Sequence, residues 1–158
     1  MKRMNTLVLA VMILGAAAGC RAAVKGSSDV VTVTAAEPAV TGTAGQRIDL
    51  AIKLDIARSW HIYAHADTNF IGVDLVPAED FPLQDLQVVY PRGHQKEFFG
   101  EKVFMIEGHD TIKASALVPA GMEAGEYPLE FKVTAQACDD KTCLAPAYIP
   151  VTVKLTVK

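Results

Sequence analysis

The sequence is short of the residues from which most binding chemistries are built. In 158 residues it has three cysteines, four histidines and one tryptophan, and it has no cluster of Lys or Arg. Without a basic stripe there is no reason to expect nucleic acid as a partner. The cysteines are too few for a four-thiolate zinc site, since no second pair completes one. There is no internal repeat, no low-complexity stretch, and no segment after the leader that keeps a helical period for three turns. The longest apolar run, Leu7 to Gly19, is 13 residues, short of the roughly 17–25 that span a bilayer. A mature chain without a transmembrane helix is the expectation.

What is present begins with an address. Met1-Lys2-Arg3, the apolar run and the small residues that follow it describe an export signal over 1–20. Ala17-Ala18-Gly19-Cys20 resembles a bacterial lipobox, in which the cysteine becomes the lipidated amino terminus; ordinary signal cleavage nearby is the alternative. Lipidating or removing Cys20 also resolves an odd cysteine count, leaving one pair. Arg21-Ala22 carries no Asp of the kind that retains lipoproteins at the inner membrane. Residues 21–28 read as a short tether and 29–158 as one domain of ordinary size. The expected location is periplasmic or otherwise exported, with membrane contact only through a lipid anchor. Removing Lys2 and Arg3 takes Lys plus Arg from 15 to 13 against 18 acids, a mildly acidic balance that favours solubility.

The domain reads as all-β. Ile48, Leu50, Ile52, Leu54 and Ile56 alternate with Asp49, Ala51, Lys53 and Asp55, which is a strand with one face in a core and one in water. Further strands are expected at Asp29–Thr34, Trp60–Ala64, Ile71–Val76, Leu86–Tyr90, Val103–Ile106, Thr111–Val118, Tyr127–Ala135 and Tyr148–Val157. Connections fall at 37–45, 91–93, 108–110 and 120–125. Short strands with frequent Gly and Pro punctuation indicate a two-sheet sandwich or a barrel. An immunoglobulin-like antiparallel β-sandwich is the preferred reading, although the antibody arrangement of cysteines on two distant strands is absent.

The last two of these strands are joined by Gln136-Ala137-Cys138-Asp139-Asp140-Lys141-Thr142-Cys143-Leu144-Ala145-Pro146. This puts both remaining thiols at one end of a hairpin. As a staple the pair is poorly placed, because closing so short a loop stabilises by roughly 2 kcal/mol against about 4.7 for a hundred-residue loop. As an exchangeable pair it makes sense, since neighbouring thiols re-form the ring quickly after one has been attacked. A structural bond and a two-thiolate metal site remain as alternatives. Asp139 and Asp140 disfavour a thiolate at Cys138, whereas Lys141 lies nearer Cys143. Cys143 is thus the better candidate for the attacked or attacking sulfur.

Three segments, taken in order, resemble the N-terminal periplasmic domain of the DsbD thiol:disulfide interchange family. Ser59-Trp60-His61-Ile62-Tyr63-Ala64 is similar to its aromatic strand. Gln95-Lys96-Glu97-Phe98-Phe99-Gly100-Glu101-Lys102 is similar to its cap loop, and Gln136 to Pro146 to its redox hairpin. The resemblance covers about residues 30–157. It implies an immunoglobulin-like sandwich that passes electrons by dithiol–disulfide exchange, without a cofactor, between thioredoxin-fold proteins. Cys143 would form the mixed disulfide and Cys138 would resolve it. Phe98 would lie over the sulfurs, Tyr63 would be an active-site aromatic, and Lys96, Glu97 and Phe99 would complete the surround. There are departures. Four residues separate the cysteines where the familiar pattern has five, Lys96 stands where an acid is usual, and Phe99 where a Tyr is. Neither a membrane-embedded carrier nor a thioredoxin-like domain is found in the chain, so reductant and acceptor are expected to be separate proteins.

Other residues read more blandly. His61 and His65 could share a strand face but lack a third metal ligand. His94 and His109 fall in expected turns, and Trp60 and Phe70 read as core. A non-catalytic exported binding module and, further off, a periplasmic metal carrier using the thiols are the competing functions.

Overall fold

The computed structural model describes residues 26–65, 69–98 and 100–158. The expected export signal, Cys20 and most of the expected tether lie outside them. Twelve strands are described: β1 Val31–Ala35, β2 Ala39–Gly42, β3 Arg47–Ile56, β4 His61–Tyr63, β5 Asp74–Pro77, β6 Gln84–Val89, β7 His94–Phe98, β8 Glu101–Ile106, β9 His109–Leu117, β10 Gly125–Ala135, β11 Ala137–Cys138 and β12 Ala147–Val157. They form three four-stranded sheets, ordered β1-β3-β9-β6, β2-β12-β10-β5 and β11-β4-β8-β7. No described helix is long and apolar enough to cross a membrane.

The first two sheets pack as the sandwich. The alternation along β3 buries Ile48, Leu50, Ile52, Leu54 and Ile56, and turns Asp49, Lys53 and Asp55 to water. Facing them across the core are Leu129, Phe131, Val133 and Ala135 of β10 and Val151, Val153, Leu155 and Val157 of β12. Burial of such side chains is worth about 1.5–3 kcal/mol each, so the domain has an ample core without its disulfide. Pro128 and Pro150 lie inside β10 and β12, which pair in unbroken register. Proline is tolerated in a sheet where its own edge is open. Pro128 lies outside the β5 register and Pro150 outside the β2 register.

The sequence reading and the structure part at three places. Ala39–Gly42, expected within a connection, is a strand because it pairs in parallel with Lys154–Val157 at the far end of the chain. His94–Phe98, expected as loop, is a strand whose described side chains are exposed, so no alternation marks it. His94 and His109 therefore open strands rather than sitting in turns. Ser27, placed in the tether, is fully buried in a single 3-10 turn, Ser27–Asp29.

Candidate functional site

The cystine sits where β10 gives way to β12. These two strands pair from Gly125 opposite Val157 to Ala135 opposite Ala147. After Ala135 the chain leaves that sheet, and β11 joins the third one, with Ala137 opposite Ile62 and Cys138 opposite His61. A tight turn follows. The Asp139 N–H donates to the Thr142 carbonyl at 2.9 Å. The Asp139 carboxylate accepts the N–H groups of Lys141 and Thr142 at 2.8 and 2.7 Å. Those two donors hold its carboxyl below the usual range. Asp side chains favour such turns because they stand in for a backbone acceptor. The turn carries Cys143 back opposite Cys138, and a disulfide joins them.

The base of the hairpin is pinned from outside. Leu144 N–H donates to the Ala137 carbonyl at 2.8 Å, and Gln136 Nε2 donates to the Leu144 carbonyl at 3.1 Å. The buried Ser27 Oγ accepts the Ala137 N–H at 2.9 Å and donates to the Ala145 carbonyl at 2.7 Å. One hydroxyl thus ties both limbs to the amino-terminal turn.

The two sulfur-bearing residues are not equivalent. Cys138 is 0 % exposed, whereas Cys143 is exposed. Cys138 belongs to a small cluster with Tyr63, Val103 and Met105, against which Phe70 packs. Phe70 stacks on Tyr63 with ring centroids 4.3 Å apart. The His61 ring meets Tyr63 edge-on at 5.5 Å. Burial pushes the Tyr63 hydroxyl up to about 12, so it is a neutral phenol at working pH. Tyr63 is thus placed beside the cystine. Phe70, expected as core, belongs to this same cluster, and Trp60 packs against the main core.

The cap segment is the β7–β8 hairpin, at the edge of the sheet that holds Cys138. Register decides which of its residues share the cystine's face. Lys96 lies opposite Val103 and His94 opposite Met105, and Val103 and Met105 are the residues clustered with Cys138. Glu97, opposite Lys102, falls on the other face. Lys96 ion-pairs with Glu107, which also accepts from His94 Nε2 at 3.1 Å. The Lys96 hydrogen bond, with a smaller contribution from His94, holds the Glu107 carboxyl below its usual range. Lys96 therefore has a carboxylate partner of its own in the oxidised domain. Phe98 pairs with Glu101 through its backbone; its side chain and Phe99 lie outside the described residues.

Sequence reasoning missed His61, Glu107 and Ser27. His61 is 4 % exposed, directly opposite Cys138. Burial lowers its pKa, and Lys96 adds to that; Glu107, Asp140 and Asp139 oppose it. The signal was available, because strand alternation puts His61 and Tyr63 on one face. His65 instead stacks on Tyr90 at 3.7 Å, with Nδ1 3.0 Å from the Val73 carbonyl. Among the described residues no three His, Cys, Asp or Glu side chains converge as a metal site.

Fold and site together define a class: an immunoglobulin-like β-sandwich with a cystine at one hairpin end, one sulfur-bearing residue buried and one in reach of solvent. Residues 28–154 match the family described as thiol:disulfide interchange protein DsbD, N-terminal, and the chain belongs to that family. Among solved structures it is similar to the N-terminal periplasmic domain of ScsB from Proteus mirabilis, at 11 % identity and TM-score 0.56, covering 81 % of this chain and 47 % of that one. The chain thus spans about half the length of that structure, and the likeness shows the fold alone. Two weaker likenesses carry no argument. One is to a family 123 glycoside hydrolase from Clostridium perfringens (TM-score 0.45, 10 % identity, 80 % of this chain and 27 % of that). The other is to BslA, a bacterial hydrophobin (TM-score 0.41, 8 % identity, 82 % and 95 %). No curated protein matches the chain in sequence.

Proposed function

We propose that this protein is a periplasmic thiol-disulfide oxidoreductase that passes electrons through Cys138–Cys143 to and from thioredoxin-fold partners. The supporting observation is the difference in exposure between the two cysteines. A partner thiolate can approach Cys143, whereas Cys138 is shut away among Tyr63, Val103 and Met105. Attack on the Cys143 sulfur forms the intermolecular disulfide and breaks the internal bond, and the electron pair leaves on Cys138. Attack by a second partner thiolate on its own half of the mixed disulfide then completes reduction. In the reverse direction Cys138 attacks Cys143 and expels the partner as a thiolate. Exchange proceeds this way in general, with the attacked sulfur set by access and by the leaving thiol. The cap segment, to which Lys96, Phe98 and Phe99 belong, shields the reduced pair from other oxidants, and Glu97 falls on the other face of its strand. The electrons are carried on sulfur alone, so the cycle needs neither cofactor nor metal.

Export over residues 1–20 and lipidation of Cys20 belong to the same proposal. With Ser27 buried in the domain, residues 21–26 remain as tether, a reach of roughly 20 Å at about 3.3–3.6 Å per residue. Mass analysis of the mature amino terminus, with Cys20→Ala as control, tests the anchor.

The decisive experiment is a reduction-potential titration with alkylation and mass readout, paired with trapping. A potential above about −300 mV with rapid exchange is expected for a working pair. Cys138→Ser should accumulate a stable mixed disulfide with a thioredoxin-fold protein through Cys143, while Cys143→Ser should not. A lower potential with slow exchange would make the bond structural and the protein a binding module.

A further inference from the structure

Resting on the exchange reading above, a further role falls to a residue to which that reading gives none. We propose that His61 is the proton partner of Cys138: its neutral imidazole takes the thiol proton as the Cys138 sulfur attacks Cys143 in the mixed disulfide, and returns it when the reaction runs backward.

The need for such a group follows from where Cys138 lies. It is 0 % exposed, in a cluster of Tyr63, Val103 and Met105. A thiol in such surroundings holds its proton, because burial disfavours the thiolate. The adjoining carboxylates of Asp139 and Asp140 oppose the thiolate further. Only the thiolate is a competent nucleophile, so the resolving step needs a base at hand. Lys96 has a partner in Glu107, and Tyr63 is a phenol that keeps its proton to about pH 12. The placed base is His61. It is the direct cross-strand partner of Cys138 in the β4–β11 ladder. Directly opposed residues share a face, with Cβ atoms about 4.5–5.5 Å apart. The ring is buried, and Tyr63 meets it edge-on.

Among the described residues, charged groups from several neighbouring elements act on this imidazole. Glu107, just after β8, and Asp139 and Asp140 in the turn favour its cationic form. Lys96 on β7 and, above all, burial favour the neutral one. Burial prevails, so at neutral pH the ring is in the form that accepts a proton. The acids then stabilise the imidazolium made during the step. The balance closes. The Cys138 S–H proton moves to the imidazole, the sulfur pair forms the Cys138–Cys143 bond, the partner leaves with the other pair as thiolate, and His61⁺ returns its proton to solvent. Cys–His pairing of this kind is a general means of activating a thiol.

The test uses the reduced protein and an aromatic disulfide, 5,5′-dithiobis(2-nitrobenzoate), followed by stopped-flow absorbance from pH 5 to 9. The first thionitrobenzoate released reports attack by exposed Cys143, and the second reports resolution by Cys138. In the wild type the second rate should bend below pH 6.5, where the imidazole protonates. His61→Gln and His61→Phe should both slow the second step about 100-fold at pH 7. They should leave the first step within twofold and make the second rise in proportion to hydroxide. A Gln variant that resolves at the wild-type rate at every pH would overturn the proton role. So would a wild-type second step simply proportional to hydroxide from pH 5 to 8.5, a measurement that needs no variant to fold. A wild type that releases no second equivalent at any pH would instead remove the exchange reading itself.

Discussion

Replacing Ser27 by alanine should loosen the cystine hairpin from a distance of more than a hundred residues in sequence. The Ser27 side chain is fully buried, and its Oγ accepts from Ala137 at 2.9 Å and donates to Ala145 at 2.7 Å. Alanine removes both bonds. The Ala145 carbonyl keeps the Ser27 N–H at 3.1 Å, so its share of the loss is small. The Ala137 N–H, in a residue with no exposure, is left without its acceptor, at a cost of about 1–3 kcal/mol. Adding the lost donor bond, Ser27→Ala should destabilise the oxidised domain by about 2–3 kcal/mol. That corresponds to a fall in Tm of roughly 6–15 °C for a domain of this size. Urea denaturation should show a lower midpoint at unchanged m, and native-state hydrogen exchange should quicken at Ala137 and Leu144. The exposed neighbour is the control, and Ser28→Ala should stay within about 0.5 kcal/mol of wild type. A Ser27→Ala midpoint matching that of the control, with amide protection intact, would refute the idea that this hydroxyl pins the hairpin.

Three further outcomes are expected. The unfolded chain loses the Tyr63 proton near 10 while the folded one holds it to about 12. The Tyr63 share of stability should therefore be intact below pH 10 and fall by about 2–3 kcal/mol toward pH 12. Tyr90, also pushed up to about 12, adds a loss of its own, so Tyr63→Phe should reduce the alkaline fall without abolishing it, measured by urea titration at each pH. Glu107 has a depressed pKa in the fold, so its ion pairs stabilise above about pH 4.5 and fade as the pH drops through the folded value. With the partners 40–50 % exposed, Glu107→Gln should cost no more than about 1 kcal/mol at pH 7. That difference should vanish in strong acid. Gly93, at φ 65°, leads into the cap hairpin, and a Cβ there would stand 2.5 Å from the Met105 carbonyl oxygen. Gly93→Ala should cost about 2 kcal/mol or more, and Gly100→Ala, at φ 81° with open space around it, only about 1 kcal/mol; denaturant midpoints distinguish them.

Much of the sandwich could be read from residue order because its strands announce themselves. In β3 every second residue from Ile48 to Ile56 is apolar, and a period of two on a half-buried sheet admits one assignment of faces. The same holds for β10 and β12, whose inward residues stand in register from end to end. The strands that escaped notice carry no such pattern. β2 exists because the end of the chain pairs with it, and β7 is polar on the exposed edge of the small sheet.

The cystine divides in the same way. Two cysteines with four residues between them, flanked by alternating runs, already place both thiols at one hairpin end and make an exchangeable pair the preferred reading. Which sulfur faces solvent did not follow, because it depends on β11 leaving one sheet to pair with β4 in another. That step buries Cys138, sets His61 across from it, and brings Lys96 and Glu107 around the same face. Ser27 joins the site through hydrogen bonds spanning 110 and 118 residues. Local pattern records which side of a strand is apolar. Which strands meet is settled by long-range pairing, and here that pairing made one thiol the buried member of the pair and the other the accessible one.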